Sequence, residues 1–284
     1  IKGKTYTAKV TYEANLTVKT EEVTGVNKLK VTLSNDKVYD ITLDKDLPEN
    51  EETTVTFKID GKEYSAKVTY VVTAVKVTSV KALNGAQIEI KFNQKVNLPE
   101  LLNQTQLARY VTATGVDTNG AVVLKQGFLS ADGRTLTVVT DGTAPLAGRY
   151  VVKVKDVKNA AGTTVTAYDE ILNFGRDTTA PTLVSTVNLD SKTARVTFSE
   201  PLRAFTQSSI SFKLANGSNV VGITGGITQG TWAADLDLSN ATVNGRPLAA
   251  NTVVYATFAG LRDIAGNFSS PNPVTTSFAI GGAD

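Results

Sequence analysis

The chain has no cysteine, no histidine and no methionine among its 284 residues. Each absence removes a class of chemistry. Without cysteine there is no thiol nucleophile, no disulfide and no thiolate metal site. Without histidine the commonest general base and the commonest zinc ligand are gone. Carboxylates, lysine, tyrosine, serine and threonine remain. A charge excess is lacking too: 29 basic against 27 acidic residues give a net charge of +2. Nucleic-acid partners normally require a basic face, so none is expected. No run approaches the ~20 apolar residues that span a bilayer, so membrane insertion is not expected either. The chain starts at Ile1 and carries no signal peptide, which reads as a piece of a longer chain with its targeting regions elsewhere. Cysteine-free composition at this length suits an exported bacterial protein better than a small secreted eukaryotic one.

What is abundant points to strands. Threonine occurs 40 times, valine is nearly as common, and both suit a pleated strand better than a helix. The ten residues 3–12 recur as residues 61–70 with eight identities, 58 positions apart. Each copy opens on a turn and runs into an alternating strand; in the second, Asp60-Gly61 between alternating runs is a strong hairpin signal. A second repeat links Ile88–Val96 to Ala194–Leu202 at an offset of 106, and Val151–Gly162 to Tyr255–Gly266 at 104. The reading is therefore all-β: tandem immunoglobulin-like β-sandwich domains in an elongated array, each of about seven strands in two sheets. Residues 1–14 form a terminal strand or the remnant of a preceding domain. Residues 15–74 form a short sandwich, and 75–176 and 177–284 two copies of a longer one. The linker at Arg176–Pro181 is short and stiffened by proline. Nothing breaks Val71–Val77, so one strand is expected to run through it. A short helix is expected within Leu98–Tyr110.

Candidate sites are few. Asp44–Glu52 holds five carboxylates in nine residues, but Pro48 and Glu49 occupy positions where an EF-hand needs a ligand and a glycine, so a solvated loop is expected. Asp177 opens the linker, Glu200 follows an apolar strand, and Asp263 lies in Arg262–Asn267. Loops at the end of one domain face the linker to the next, so Asp177, Glu200 and Asp263 are candidate calcium ligands; alternatively Asp263 makes an Asx turn closed by Gly266. No cofactor is required. A glycosidase-like pairing of Glu200 with Asp235 or Asp237 is disfavoured, because those aspartates alternate with leucines on the outer face of a strand. Gly222–Gly230 matches no phosphate-binding pattern and reads as a loose or bulged hairpin. Trp232, the sole tryptophan, fits a core plug first, then a contact with another domain or a sugar-stacking ring. The five Asn-x-Ser/Thr sequons carry no meaning beyond threonine abundance.

Ala180-Pro181-Thr182-Leu183, then Ala194–Phe198 with Ser199-Glu200-Pro201-Leu202, then Arg262–Asn267, resembles the bacterial Ig-like module found in tandem in surface-layer proteins of Gram-positive bacilli. The middle unit departs from it: Gln94 stands in the place of Glu200, and Asn159 in the place of Asp263. The resemblance implies a structural, non-enzymatic role outside the cell, at the bacterial wall surface. It implies self-assembly with other copies into a two-dimensional lattice, assisted by calcium, and anchoring to wall polymer through regions not in this chain. The piece alone is expected to be monomeric. The alternative is an adhesin stalk, or a carbohydrate-binding or spacer module of a secreted enzyme.

Overall fold

Asp60 and Gly61 both take positive φ, 52° and 82°, the backbone a two-residue hairpin turn demands. They join strands Glu52–Ile59 (β4) and Lys62–Thr69 (β5) in unbroken antiparallel register. A computed structural model describes residues 15–72, 74–117 and 120–281. The first copy of the ten-residue repeat, and with it the reading of residues 1–14, lies outside them. Two compact units divide the chain, 1–73 and 74–284.

In the first unit, Val18–Gly25 (β1), Lys28–Leu33 (β2) and Val38–Thr42 (β3) make a second sheet beside the β4–β5 hairpin. Alternation does the sorting. Leu29, Val31 and Leu33 of β2 and Phe57, Ile59 and Val68 of the hairpin face a shared core, while the residues between them are largely exposed. Among the described residues the expected through-strand is absent: β5 stops at Thr69 and the next strand begins at Val77.

The second unit holds two cores, over residues 75–174 and 194–280. Around the first, Val77–Asn84 (β6), Gln87–Phe92 (β7), Leu101–Asn103 (β8), Leu124–Leu129 (β10) and Thr135–Thr140 (β11) form a five-stranded sheet in the order β6-β7-β11-β10-β8. Val111–Gly115 (β9), Gly148–Val154 (β12) and Tyr168–Phe174 (β13) form the facing sheet in the order β13-β12-β9. The helix expected within Leu98–Tyr110 shrinks to one turn, Gln104–Leu107 (α1). Asn103 caps that turn reciprocally with Gln106, so the preceding residues are free to pair as β8, where Leu102 is fully buried and Leu101 exposed.

Around the last core, Leu183–Asp190 (β14), Thr193–Leu202 (β15) and Thr231–Asp237 (β17) face Ile210–Lys213 (β16), Val253–Phe258 (β20) and Val274–Ala279 (β21). A short ladder of Thr242–Val243 (β18) and Arg246–Pro247 (β19) lies apart. Phe198 and Phe258, each 1% exposed or less, meet edge-on at its centre. Gly222–Gly230 is not loose. Val221 pairs with Thr242, Thr224 with Asp237 and Ile227 with Phe205, and Ile223 and Ile227 plug the core. The glycines permit this approach: a β-carbon on Gly222 would lie 1.9 Å from the Asn240 carbonyl oxygen, and one on Gly225 2.2 Å from that of Asp235.

The two sandwiches of this unit touch. Trp232 of β17 meets Phe128 of β10 edge-on, ring centroids 5.6 Å apart. The indole is half-buried against its neighbour sandwich, so the core-plug reading gives way to the domain-contact one. Beside it the Gln229 side-chain amide donates to the Gly142 carbonyl at 2.6 Å.

Candidate metal centre

Strand parity buries Glu200. Ala194, Val196 and Phe198 on β15 point into the core, and Glu200 continues the same face at 6% exposure. Asp263 is brought to it by the loop after β20, which an isolated bridge to Leu202 pins against the end of β15. Asp263 is fully buried. Its Oδ1 accepts the N–H groups of Gly266 and Asn267 at 2.6 and 2.8 Å, and its Oδ2 the Asn267 side-chain amide at 2.7 Å. The Asx turn is therefore present, and it positions a buried carboxylate rather than replacing one.

Asp177 completes the group from the linker. Its Oδ1 accepts the Thr179 N–H at 2.9 Å, and its Oδ2 accepts the Gly85 N–H of the middle sandwich at 3.0 Å. The Asn267 amide also donates to the carbonyls of Asp177 and Thr179, at 3.2 and 3.1 Å, latching the linker to the last sandwich. One carboxylate oxygen from each of Asp177, Glu200 and Asp263 lies within 4.8 Å of the others.

Among the described residues, none of the ion pairs includes these three acids. The nearby Arg203 guanidinium donates instead to the Ile264 carbonyl at 3.2 Å, and Arg262 stacks on the Phe268 ring. Burial, then the charges of Asp177 and Asp263, and then a hydrogen bond with Asp177 push the Glu200 carboxyl up to about 8. Hard oxygen donors gathered in this way, two buried and Asp177 half-buried, suit calcium, the ion the family resemblance implies, and Asp177, Glu200 and Asp263 are the side chains that would hold it.

The middle sandwich has the same corner with neutral groups. Gln94 and Asn159 occupy the places of Glu200 and Asp263, and the Val96–Asn159 bridge repeats the Leu202–Asp263 bridge. There the Asn159 amide donates to Gln94 Oε1 at 2.9 Å, and Asn159 Oδ1 accepts the Thr163 N–H at 2.8 Å.

Among the described residues, no other sequence candidate is part of this cluster. Asp235 and Asp237 are exposed on the outer face of β17, and Asp235 holds Arg195 through two hydrogen bonds. The aspartates and Glu51 and Glu52 of the acidic 44–52 loop are exposed, with Leu47 turned into the core. Sequence reasoning missed the Gly85 contact of Asp177 and the latch made by Asn267. Only the latter had a signal, its place at the end of the Arg262–Asn267 motif.

No family model matches the chain. It is 33% identical over 182 residues to the surface-layer 125 kDa protein of Lysinibacillus sphaericus, a match covering 64% of this chain and 14% of that protein. Among solved structures, the N-terminal part of the bacterial S-layer protein SbsC gives a TM-score of 0.32 at 18% identity, over 74% of this chain and 44% of that one. Native alpha-2-macroglobulin from Escherichia coli, spanning domains MG0-NIE-MG1, gives 0.37 at 13% identity, over 73% and 72%. Both are too distant in shape to add to the fold read from the strands. By sequence, over nearly two thirds of its length, the chain is related to a bacterial surface-layer protein, as the motifs of its last sandwich indicate.

Proposed function

We propose that the chain is a structural segment of a surface-layer protein, exposed on the bacterial envelope, whose sandwiches set spacing and supply lateral contacts in a two-dimensional lattice. The observation that carries this is the 182-residue relationship to a surface-layer protein. The fold is consistent with it. Small sandwiches with dense cores, joined by a short hydrogen-bonded linker, transmit force and hold distance. No helix among the described residues is long and apolar enough to cross a membrane. The placement of Trp232 against Phe128 weighs against the carbohydrate-binding alternative, because the ring that would stack on a sugar is engaged within the chain. The partners are other copies of the same protein, with wall polymer reached through other regions. The test is electron microscopy of the full-length protein after dialysis into calcium. Ordered sheets are expected; dispersed monomers under every ionic condition would overturn the reading.

A further inference from the structure

We propose that residues 3–12 are an exchangeable closing strand, which in one chain takes the place of β5 in the first sandwich of a second copy. The ten-residue repeat acquires this meaning from the structure of its second occurrence. There Tyr64, Ala66, Val68 and Tyr70 turn to the core, and Val68 is only 4% exposed. The same four residues stand in the first occurrence as Tyr6, Ala8, Val10 and Tyr12. The two departures, Thr5 for Glu63 and Thr7 for Ser65, fall where β5 is exposed. One face of a strand decides which surface it can cover. Everything that this segment offers to Leu29, Val31 and Phe57 is therefore offered again by residues 3–12, with threonine, a good strand former, at both departures.

Residues 3–12 cannot reach that slot in their own chain. Asn15 and Leu16 lie beside Ile59, Asp60 and Lys62 at the turn end of the β4–β5 hairpin, where the Lys62 ammonium donates to the Asn15 side-chain oxygen at 2.6 Å. Tyr12, in the place of Tyr70, belongs at the other end, where Tyr70 bridges Glu49, about 26 Å away along the strand. The chain from Tyr12 to Asn15 spans at most about 11 Å. The acceptor must be another sandwich of this kind, and a second copy supplies it. Among the described residues β5 pairs as a strand with β4 alone, so the slot is filled from the sheet edge. Competition sets when exchange occurs. A two-residue turn holds β5 against β4 at an effective concentration of order millimolar or above, so the chain's own strand keeps the slot in dilute solution. Copies packed side by side approach that regime; for this setting the inference rests on the lattice reading.

The experiment uses the full chain and its lack of cysteine. In the exchanged register Lys9 replaces Lys67 and lies opposite Thr54 on the exposed face, within disulfide reach. A donor chain carries Lys9→Cys. An acceptor chain carries Thr54→Cys with Val68→Asp, which puts a charge on the buried face of β5 and frees the slot. Mixed under mild oxidation, the two should give a dimer in which peptide mapping joins position 9 of the donor to position 54 of the acceptor. Val10→Asp in the donor, or Lys58→Cys in place of Thr54→Cys in the acceptor, should cut this product by about tenfold or more. Val68→Ala loosens β5 more mildly and serves as acceptor if Val68→Asp does not fold. No product joining 9 to 54 with either acceptor, a yield unchanged by Val10→Asp, or a bond within one monomer when both cysteines share a chain would overturn the proposal. Lattice formation is read separately by microscopy of the full-length protein, so each reading can fail without the other.

Discussion

In chelator, replacing Glu200 by glutamine should stabilise the second unit at high pH and leave it nearly unchanged at low pH. Glu200 lies at about 8 in the folded chain against 4.5 for the free side chain, chiefly because it is buried and then because Asp177 and Asp263 face it. Below pH 4.5 the carboxyl is protonated in both folded and unfolded chains, and the parent pays nothing. Between 4.5 and 8 the unfolded chain releases its proton while the folded chain holds it, so stability falls as pH rises. Above 8 the folded chain must carry the buried charge, and the loss is complete. At 1.36 kcal/mol per pH unit the span amounts to up to about 5 kcal/mol. Glutamine has the same shape and no charge, so Glu200→Gln removes this dependence. The assay is urea unfolding of parent and variant in chelator at pH 5, 7 and 9, followed by circular dichroism. The difference between the two should grow in the variant's favour from about 1 kcal/mol at pH 5 to several kcal/mol at pH 9. A variant less stable than the parent by the same amount at all three values would refute the argument, since it would mean that Glu200 is held by a favourable contact rather than buried without one.

Gly222→Ala should destabilise by about 3 kcal/mol or more, because it combines a positive φ of 86° with a β-carbon 1.9 Å from the Asn240 oxygen; thermal melts check this. Arg195→Ala, at a bidentate pair with Asp235 that is nearly half exposed on both sides, should cost under about 1 kcal/mol and less in high salt, as equilibrium unfolding at two salt concentrations will tell. Asn267→Ala removes the amide that serves Asp263, Asp177 and Thr179, and should cost about 2 kcal/mol while raising amide hydrogen exchange across residues 177–182.

What the sequence disclosed is what short-range patterns encode. Ala194, Val196 and Phe198 declare β15 by alternation, and that alternation already turns Glu200 inward. Asp60-Gly61 declares its hairpin because few residue pairs accept two positive φ values. Leu98–Tyr110 misled because leucines at helical spacing over so short a run also fit a strand followed by one capped turn. Gly222–Gly230 misled for another reason: its glycines answer carbonyls of Asn240 and Asp235, partners that local pattern does not name. The site divides the same way. The motif residues Glu200 and Asp263 were legible, whereas the bond from Gly85 to Asp177 spans 92 positions and left no trace in either segment. Trp232 stood beside a glycine-rich stretch with nothing to announce Phe128.

That last contact has a practical meaning. Trp232 is the chain's sole tryptophan, and it rests at the seam between two sandwiches rather than inside either core. Its emission is therefore a native optical gauge of the seam. Parting the sandwiches would hydrate the indole and shift its fluorescence to longer wavelength while both cores keep their strands. Bending of the joint and melting of the domains, which most probes blur into one transition, are separated in this chain without a label.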